Sequence, residues 1–353
     1  MNYLITGNLG YIGPVLCKFI KENDPNSNIT GYDIGFFSNC PIAAEVINER
    51  PFVDLQVFAD VRDKEKLMPF IKQADYIIHL AAISNDPMGT EFENQTREIN
   101  QESSIFIAKE AIKSETKSFV FASSCSVYGE GSDKPRTEED PVKPLTAYAK
   151  SKIKTENELM NLSDCKNTKL TFLRFATACG FSPNLRLDLV LNDFVANALN
   201  TGCIEILSDG SPWRPLIDVE DMARALFWSC HRKEGGQREI INIGSHKWNY
   251  QIKHLAKTVK EILGNHIELK INKDASPDKR SYMVSFDKFN KLATEEFTPQ
   301  IDIHESVKRM VKALNPYKER LSRKDRGHLI RLNILKNLKE NNYLDKDLNF
   351  IKN

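Results

Sequence analysis

At 353 residues the chain can bury a sizeable core, and a prior of roughly 150 residues per domain predicts two lobes rather than one small binding module. Its 41% hydrophobic and 27% charged residues are ordinary for a globular protein, and a net charge of +1 gives no overall attraction to nucleic acid or an anionic membrane. Seven cysteines without a Cys-x-x-Cys pair suit neither a zinc site nor a disulfide framework. With no basic-then-apolar leader and no apolar run of ~18 residues, the expectation is a cytoplasmic protein with reduced thiols and no membrane span.

Short apolar runs alternate with helix-period segments through the first half. Tyr3 to Thr6, Ile29 to Asp33, Leu55 to Ala59, Tyr76 to Ala81, Ser118 to Ala122 and Leu170 to Phe175 read as strands. Val15 to Lys21, Lys64 to Ile71, Asn100 to Lys113 and Thr146 to Leu162 carry the 3.6-residue period of helices. Strand–helix alternation predicts an α/β fold with a doubly wound parallel sheet over 1–180, rejoined by later strands from about 215–245. Residues 181–214 and 246–315 read as a smaller mixed lobe that covers a substrate. Beyond 316 the tail is polar, but Leu329, Ile330, Ile334, Leu335 and Leu338 recur at helical spacing, which predicts a helix packed on the body or on a second subunit.

The first strand runs into Gly7-Asn8-Leu9-Gly10-Tyr11-Ile12-Gly13 and then a helix. Such glycines let a backbone turn sharply and approach a pyrophosphate, whose charge meets the helix's first amides; this is a Rossmann-type phosphate loop. Asp33 follows Gly13 by 20 residues at the end of the second strand, where a carboxylate accepts ribose hydroxyls and repels an extra phosphate. NAD is therefore the expected cofactor, rather than NADP. Tyr148 and Lys152, four apart on one helix face, suit a phenol made acidic by an ammonium.

With Asp60-Val61-Arg62-Asp63, His79-Leu80-Ala81-Ala82, Ser123 to Gly129 and Trp213 to Val219, this ordered set closely resembles the extended short-chain dehydrogenase/reductases, including the UDP-galactose 4-epimerases. The resemblance spans residues 1 to about 314. It implies Tyr148 as acid/base, Lys152 as its partner and Ser124 as the hydroxyl on the reacting sugar oxygen. On the cofactor side it implies the loop Gly7, Gly10, Tyr11, Ile12 and Gly13, Asp60 and Val61 at the adenine, and Leu80, Ala81 and Ala82 passing over the dinucleotide. Asn100 corresponds to a residue that supports the site, with a helix N-cap as the competing reading. Ser126, Asn192, Arg214 and Arg280 are the implied substrate contacts, the two arginines for the phosphates of a nucleotide-diphosphate sugar.

Dehydratases of this type carry an Asp-Glu pair after the active-site hydroxyl residue. Here Cys125 and Ser126 stand there, so the leading expectation is an epimerase acting at C4 through a 4-keto sugar. The alternative is an oxidoreductase with net cofactor turnover; a dehydratase and a non-catalytic NAD-binding protein rank below both. Ser84 stands where some epimerases carry Lys, and Asp218 where relatives usually have His, near the expected substrate or cofactor loop. The family habit of pairing helices, here near 100–113 and 146–162, implies a homodimer.

Overall fold

The computed structural model describes residues 1–38, 52–131, 134–272, 274–275, 280–322 and 326–351. Cys40, one of the seven cysteines, and the residues just before Arg280 lie outside them.

The six apolar runs form β1 (Asn2–Thr6), β2 (Asn28–Asp33), β3 (Leu55–Phe58), β4 (Tyr76–His79), β5 (Ser118–Ser124) and β6 (Lys169–Phe175). After them come β7 (Thr177–Cys179), β8 (Cys203–Ile206), β9 (Trp213–Asp218), β10 (Arg238–Ile243), β11 (Asn249–Gln251) and β12 (Glu268–Ile271). The first six and β10 make a seven-stranded sheet of order β10-β6-β5-β4-β1-β2-β3, parallel throughout. Parallel sheets bury both faces, and every residue of β4 is buried. The order reverses between β1 and β4, which places a crevice at the carboxyl ends of those strands, as in doubly wound folds. Of the later segments expected in this sheet, β10 joins it, whereas β9 pairs with β7 and β11 in a small separate sheet.

The helices covering the sheet are α1 (Gly13–Asn23), α2 (Lys64–Gln73), α3 (Asp86–Glu91), α4 (Ser103–Lys113) and α5 (Ala147–Met160). Downstream lie α6 (Val190–Thr201), α7 (Val219–His231), α8 (Ile252–Leu263), α9 (Asp287–Leu292), α10 (Ile303–Leu314) and α11 (Arg331–Glu340). A π-helical turn, Arg97–Glu102, feeds α4. Asp63, Thr146 and Asp218 cap α2, α5 and α7 with their side chains, so the three starts are written locally in the sequence.

Two cores flank the sheet, one built with α1 and α7, the other with α2, α4 and α5; a third fills the smaller lobe around α6, α8 and α10. The tail packs on the body of its own chain: Leu329 seals the third core, and Leu335, Leu344 and Leu348 enter the second. No helix among the described residues is long and apolar enough to cross a membrane.

Candidate active site

Gly7 leaves β1 at φ +76°, and a Cβ there would stand 2.5 Å from the Ala81 amide nitrogen. A Cβ on Gly13 would stand 2.1 Å from the Asn8 carbonyl oxygen. Both positions therefore demand glycine. The loop is held by Gly7 N–H donating to Tyr32 O at 2.9 Å and Gly10 N–H to Gly7 O at 3.0 Å. Ile12 caps α1 without a side-chain acceptor, so the helix offers its first amides and positive pole to an anion. Tyr11 turns inward, donating its hydroxyl to Gly180 O and accepting from Asn192 Nδ2 at 3.2 Å.

At the end of β2 the Asp33 carboxylate accepts from Leu9 N–H at 3.0 Å and Gly35 N–H at 2.8 Å. Burial raises its pKa from the ordinary carboxylate value, against the opposing pull of those two amides and of Arg331. The Arg62 side chain grips Asp60 through Nε at 3.0 Å and Nη2 at 2.7 Å, and Val61 is buried beside it. Leu80 N–H donates to Thr6 O at 2.9 Å, which presses the Leu80-Ala81-Ala82 turn against the glycine loop. A phosphate loop, an acceptor at the second strand end and an uncapped helix start are together the features that fit a dinucleotide.

Across the crevice, Ser124 ends β5 and Tyr148 and Lys152 lie on α5. Thr146 fixes the start of that helix, accepting from Ala149 N–H at 3.1 Å while donating to Asp86 Oδ1 at 2.6 Å. Ser124 lies near enough to the Tyr148 phenol to lower its pKa against the effect of burial. The buried Lys152 donates to Ala122 O at 2.7 Å, and its ammonium lies 5.6 Å from the Tyr148 ring centre and 4.6 Å from that of Phe121.

The titration directions reverse the sequence-based expectation. Burial, then Asp86, pushes the Tyr148 phenol up to about 12, with Ser124 and Arg186 pulling against it. Burial pulls Lys152 down to about 7, with Glu156 opposing. The reason is desolvation, which penalises both charged forms, while the ammonium engages a carbonyl rather than the phenol.

Glu156, one helical turn after Lys152, is fully buried and forms a bidentate ion pair with Arg174 of β6, with Nη2 to Oε2 at 2.7 Å. Ser123 also donates to it, and Arg174 donates to the Tyr128 hydroxyl at 3.0 Å. The sequence signals were a second charge on the Lys152 face and a lone arginine within an apolar strand. Arg186, also missed, pairs with Asp188 at 2.7 Å and donates to Ser84 Oγ at 3.1 Å. A buried cation thus stands beside the position where some epimerases carry Lys, and no sequence pattern announced it.

Asn100 lies inside the π-helical turn rather than at a cap. Its amide spans Ile83 N at 2.8 Å, Ile83 O at 2.9 Å and Ser151 Oγ at 3.2 Å, tying the loop after β4 to α5. Asn192 is equally spent on the chain, accepting from Gly180 N–H and donating to Tyr11 and Arg186 O. The Ser126 Oγ is buried without a hydrogen-bond partner among the described residues. Cys125 directs its thiol to Arg174 O at 3.1 Å, and burial raises its pKa well above the ordinary value.

Arg214 lies over the Tyr282 ring and donates to Trp213 O at 2.9 Å; Arg280, 41% exposed, pairs with Asp86 at 2.6 Å. Asp86, the partner of Arg280, also influences Tyr148, and both arginines act on Tyr282, whereas Asp218 stands apart from these groups. It caps α7 by accepting from Glu220 N–H at 2.9 Å and from Ser306 Oγ.

This fold and crevice define a dinucleotide-dependent α/β enzyme. The profile of the NAD dependent epimerase/dehydratase family matches residues 3–244, and the chain belongs to that family, with NAD as its cofactor. It is similar to the low-salt glycan biosynthesis protein Agl12 of Haloferax volcanii, at 25% identity over 84% of this chain and 93% of the relative. A putative UDP-glucose 4-epimerase of Methanocaldococcus jannaschii is 28% identical over 87% of this chain and 96% of that one. Among solved structures, the UDP-N-acetylglucosamine 4-epimerase of Methanobrevibacter ruminantium M1 superposes with a TM-score of 0.75 at 22% identity, covering 90% of this chain and 98% of its own.

Proposed function

We propose that the chain interconverts the C4 epimers of a nucleotide-diphosphate sugar, with UDP-sugars as the first substrates to test. One observation carries this reading: Ser124 at the end of β5 and Tyr148 and Lys152 on α5 lie together across the crevice from the glycine loop, while the two residues after Ser124 supply no second acid. Cys125 is turned inward with its thiol held protonated, and Ser126 carries only a hydroxyl. An elimination of water would need a proton donor there, so dehydration is disfavoured.

Ser124 would position the C4 oxygen, and Tyr148 in its phenolate form would take the C4 hydroxyl proton as the hydride departs, becoming the neutral phenol that returns that proton after the keto sugar has turned over. Bound NAD supplies the hydride acceptor and then the donor. Lys152, fixed by its hydrogen bond to Ala122 O, lies close to the Tyr148 ring, and the charge of Glu156 opposes the loss of its proton on burial. Arg214 and Arg280 hold the substrate's phosphates. A cytosolic homodimer paired through α4 and α5 completes the reading. Six described cysteines without disulfides support the cytosolic part of the reading, and the first relative's name supports a role in glycan precursor supply.

The test is mass spectrometry and NMR of reactions with UDP-, GDP-, CDP- and dTDP-sugars. Unchanged mass with inverted C4 supports the proposal. A two-dalton change assigns net oxidation or reduction instead, and loss of water assigns a dehydratase.

A further inference from the structure

Ser84, Asn85 and Asp86 are consecutive, and their side chains reach different parts of the molecule. Ser84 Oγ accepts from Arg186 Nη1 at 3.1 Å. Asn85 donates to Asp188 Oδ2 at 2.6 Å and caps α3 by accepting from Met88 N–H at 2.8 Å. Asp86 accepts twice, Oδ1 from the Thr146 hydroxyl at 2.6 Å and Oδ2 from Arg280 Nη1 at 2.6 Å. One carboxylate thus joins the N-cap of the helix that carries Tyr148 to a guanidinium borne by the smaller lobe.

The joint is tight on both sides. A Cβ on Gly89, in the same short helix as Asp86, would stand 3.0 Å from Tyr148 N, so α3 lies directly on the backbone that presents the phenol. Ser281 Oγ accepts from Trp213 N–H at 3.0 Å, which pins the segment bearing Arg280 beside Arg214. Of the ion pair, Asp86 is the sheltered partner and Arg280 the more exposed one. A guanidinium has donors enough to hold a carboxylate and an anionic substrate group together.

We propose that Asp86 is a positioning residue of the reaction: it aims Arg280 at the diphosphate of the substrate, fixes the start of the helix that presents Tyr148 and places a negative charge beside that phenol. The proposal rests on the reading of Arg280 as a phosphate contact and of Tyr148 as the acid/base group. The groups that face the phenol are Asp86 from α3, Lys152 from α5, the Ser124 hydroxyl from the end of β5, and Arg186 with its partner Asp188 from the loop before α6. Asp86 opposes ionisation of the phenol, whereas Ser124 and Arg186 favour it.

Asp86→Asn keeps the size and an acceptor for Thr146 and removes the charge. Its Kd for nucleoside diphosphates, titrated calorimetrically with UDP, GDP, CDP and dTDP, should rise about three- to tenfold, and the substrate KM with it. The limb on which kcat rises with pH should move to lower pH, because the phenol ionises more easily without the neighbouring anion. Since Asp86 acts on the nucleotide through Arg280, Arg280→Gln should weaken the same binding, and the double variant should bind no more weakly than Arg280→Gln alone. Additive losses in the double variant, unchanged nucleotide affinity in Asp86→Asn, or a fall in kcat with the pH limb unmoved each overturn the proposal. The binding cycle needs no turnover: a wild type that binds a nucleoside diphosphate without inverting C4 refutes the epimerase reading, and the cycle still decides whether Asp86 works through Arg280. A wild type that binds none of the four nucleotides overturns the proposal.

Discussion

Tyr148 and Ser124 meet because a helix start and a strand end are independently fixed, the first by Thr146 and the second by the β5 pairing with β4 and β6. Tyr148→Phe removes only the phenol oxygen, so the fold and NAD content should persist. Turnover should drop about a hundred- to ten-thousandfold, as is usual for a lost proton donor. Beneath it, Glu156→Gln leaves Arg174 buried without its counter-charge. Breaking such a pair costs about 3–5 kcal/mol, so urea denaturation should show a markedly lower midpoint, and replacing both partners by apolar residues should recover much of it. The residues that do chemistry were legible because their spacing is fixed by a helix turn or a motif. Arg186 and Arg331 were not, since the partners Ser84, Asn184 and Phe37 are brought close only by the fold. The expected acidification of Tyr148 was misread for a related reason: sequence spacing reports neighbours, not burial, and burial dominates both shifts.

At the scale of elements, the first six strands and the helices following them appear where the hydrophobic periods place them. Strand β9 was misplaced because a run such as Trp-Arg-Pro-Leu-Ile-Asp reads as a strand without revealing its partners. Its last residue, Asp218, is the N-cap of α7, and burial raises its pKa to about 7 from 3.8. The native state therefore holds a proton that the unfolded chain releases between those values. That contribution to stability is complete below pH 3.8 and is lost as pH rises through about 7. Asp218→Asn removes this dependence while keeping a capping side chain. Its melting temperature should exceed that of the wild type at pH 8, the gap closing toward pH 4; a gap independent of pH would show that Asp218 does not titrate in this range. In the phosphate loop, Gly13→Ala drives a Cβ to 2.1 Å from a backbone oxygen and should abolish NAD retention, read as cofactor released on denaturation.

Seen whole, the chain joins a dinucleotide sheet to a smaller lobe with its own core, and the tail closes back on the sheet rather than trailing from it. The helical spacing of Leu329 to Leu338 gave the tail's helix, whereas its destination depended on contacts such as Arg62 with Asp347 and Lys336 with Glu91, which no periodicity encodes. If α4 and α5 form the dimer surface, sedimentation should give twice the 40.3 kDa chain mass, and charge reversal at Lys109 and Glu158 on those helices should leave the exposed pair's exchange partner intact while shifting the association constant by no more than about tenfold. The central claim is that hydride leaves and returns to one sugar carbon within a single active site. The direct measurement follows UDP-sugar turnover by NMR while absorbance at the NADH band is recorded on the same sample. The account predicts a mixture of C4 epimers of unchanged mass with no net NADH; NADH accumulating in proportion to product would contradict it.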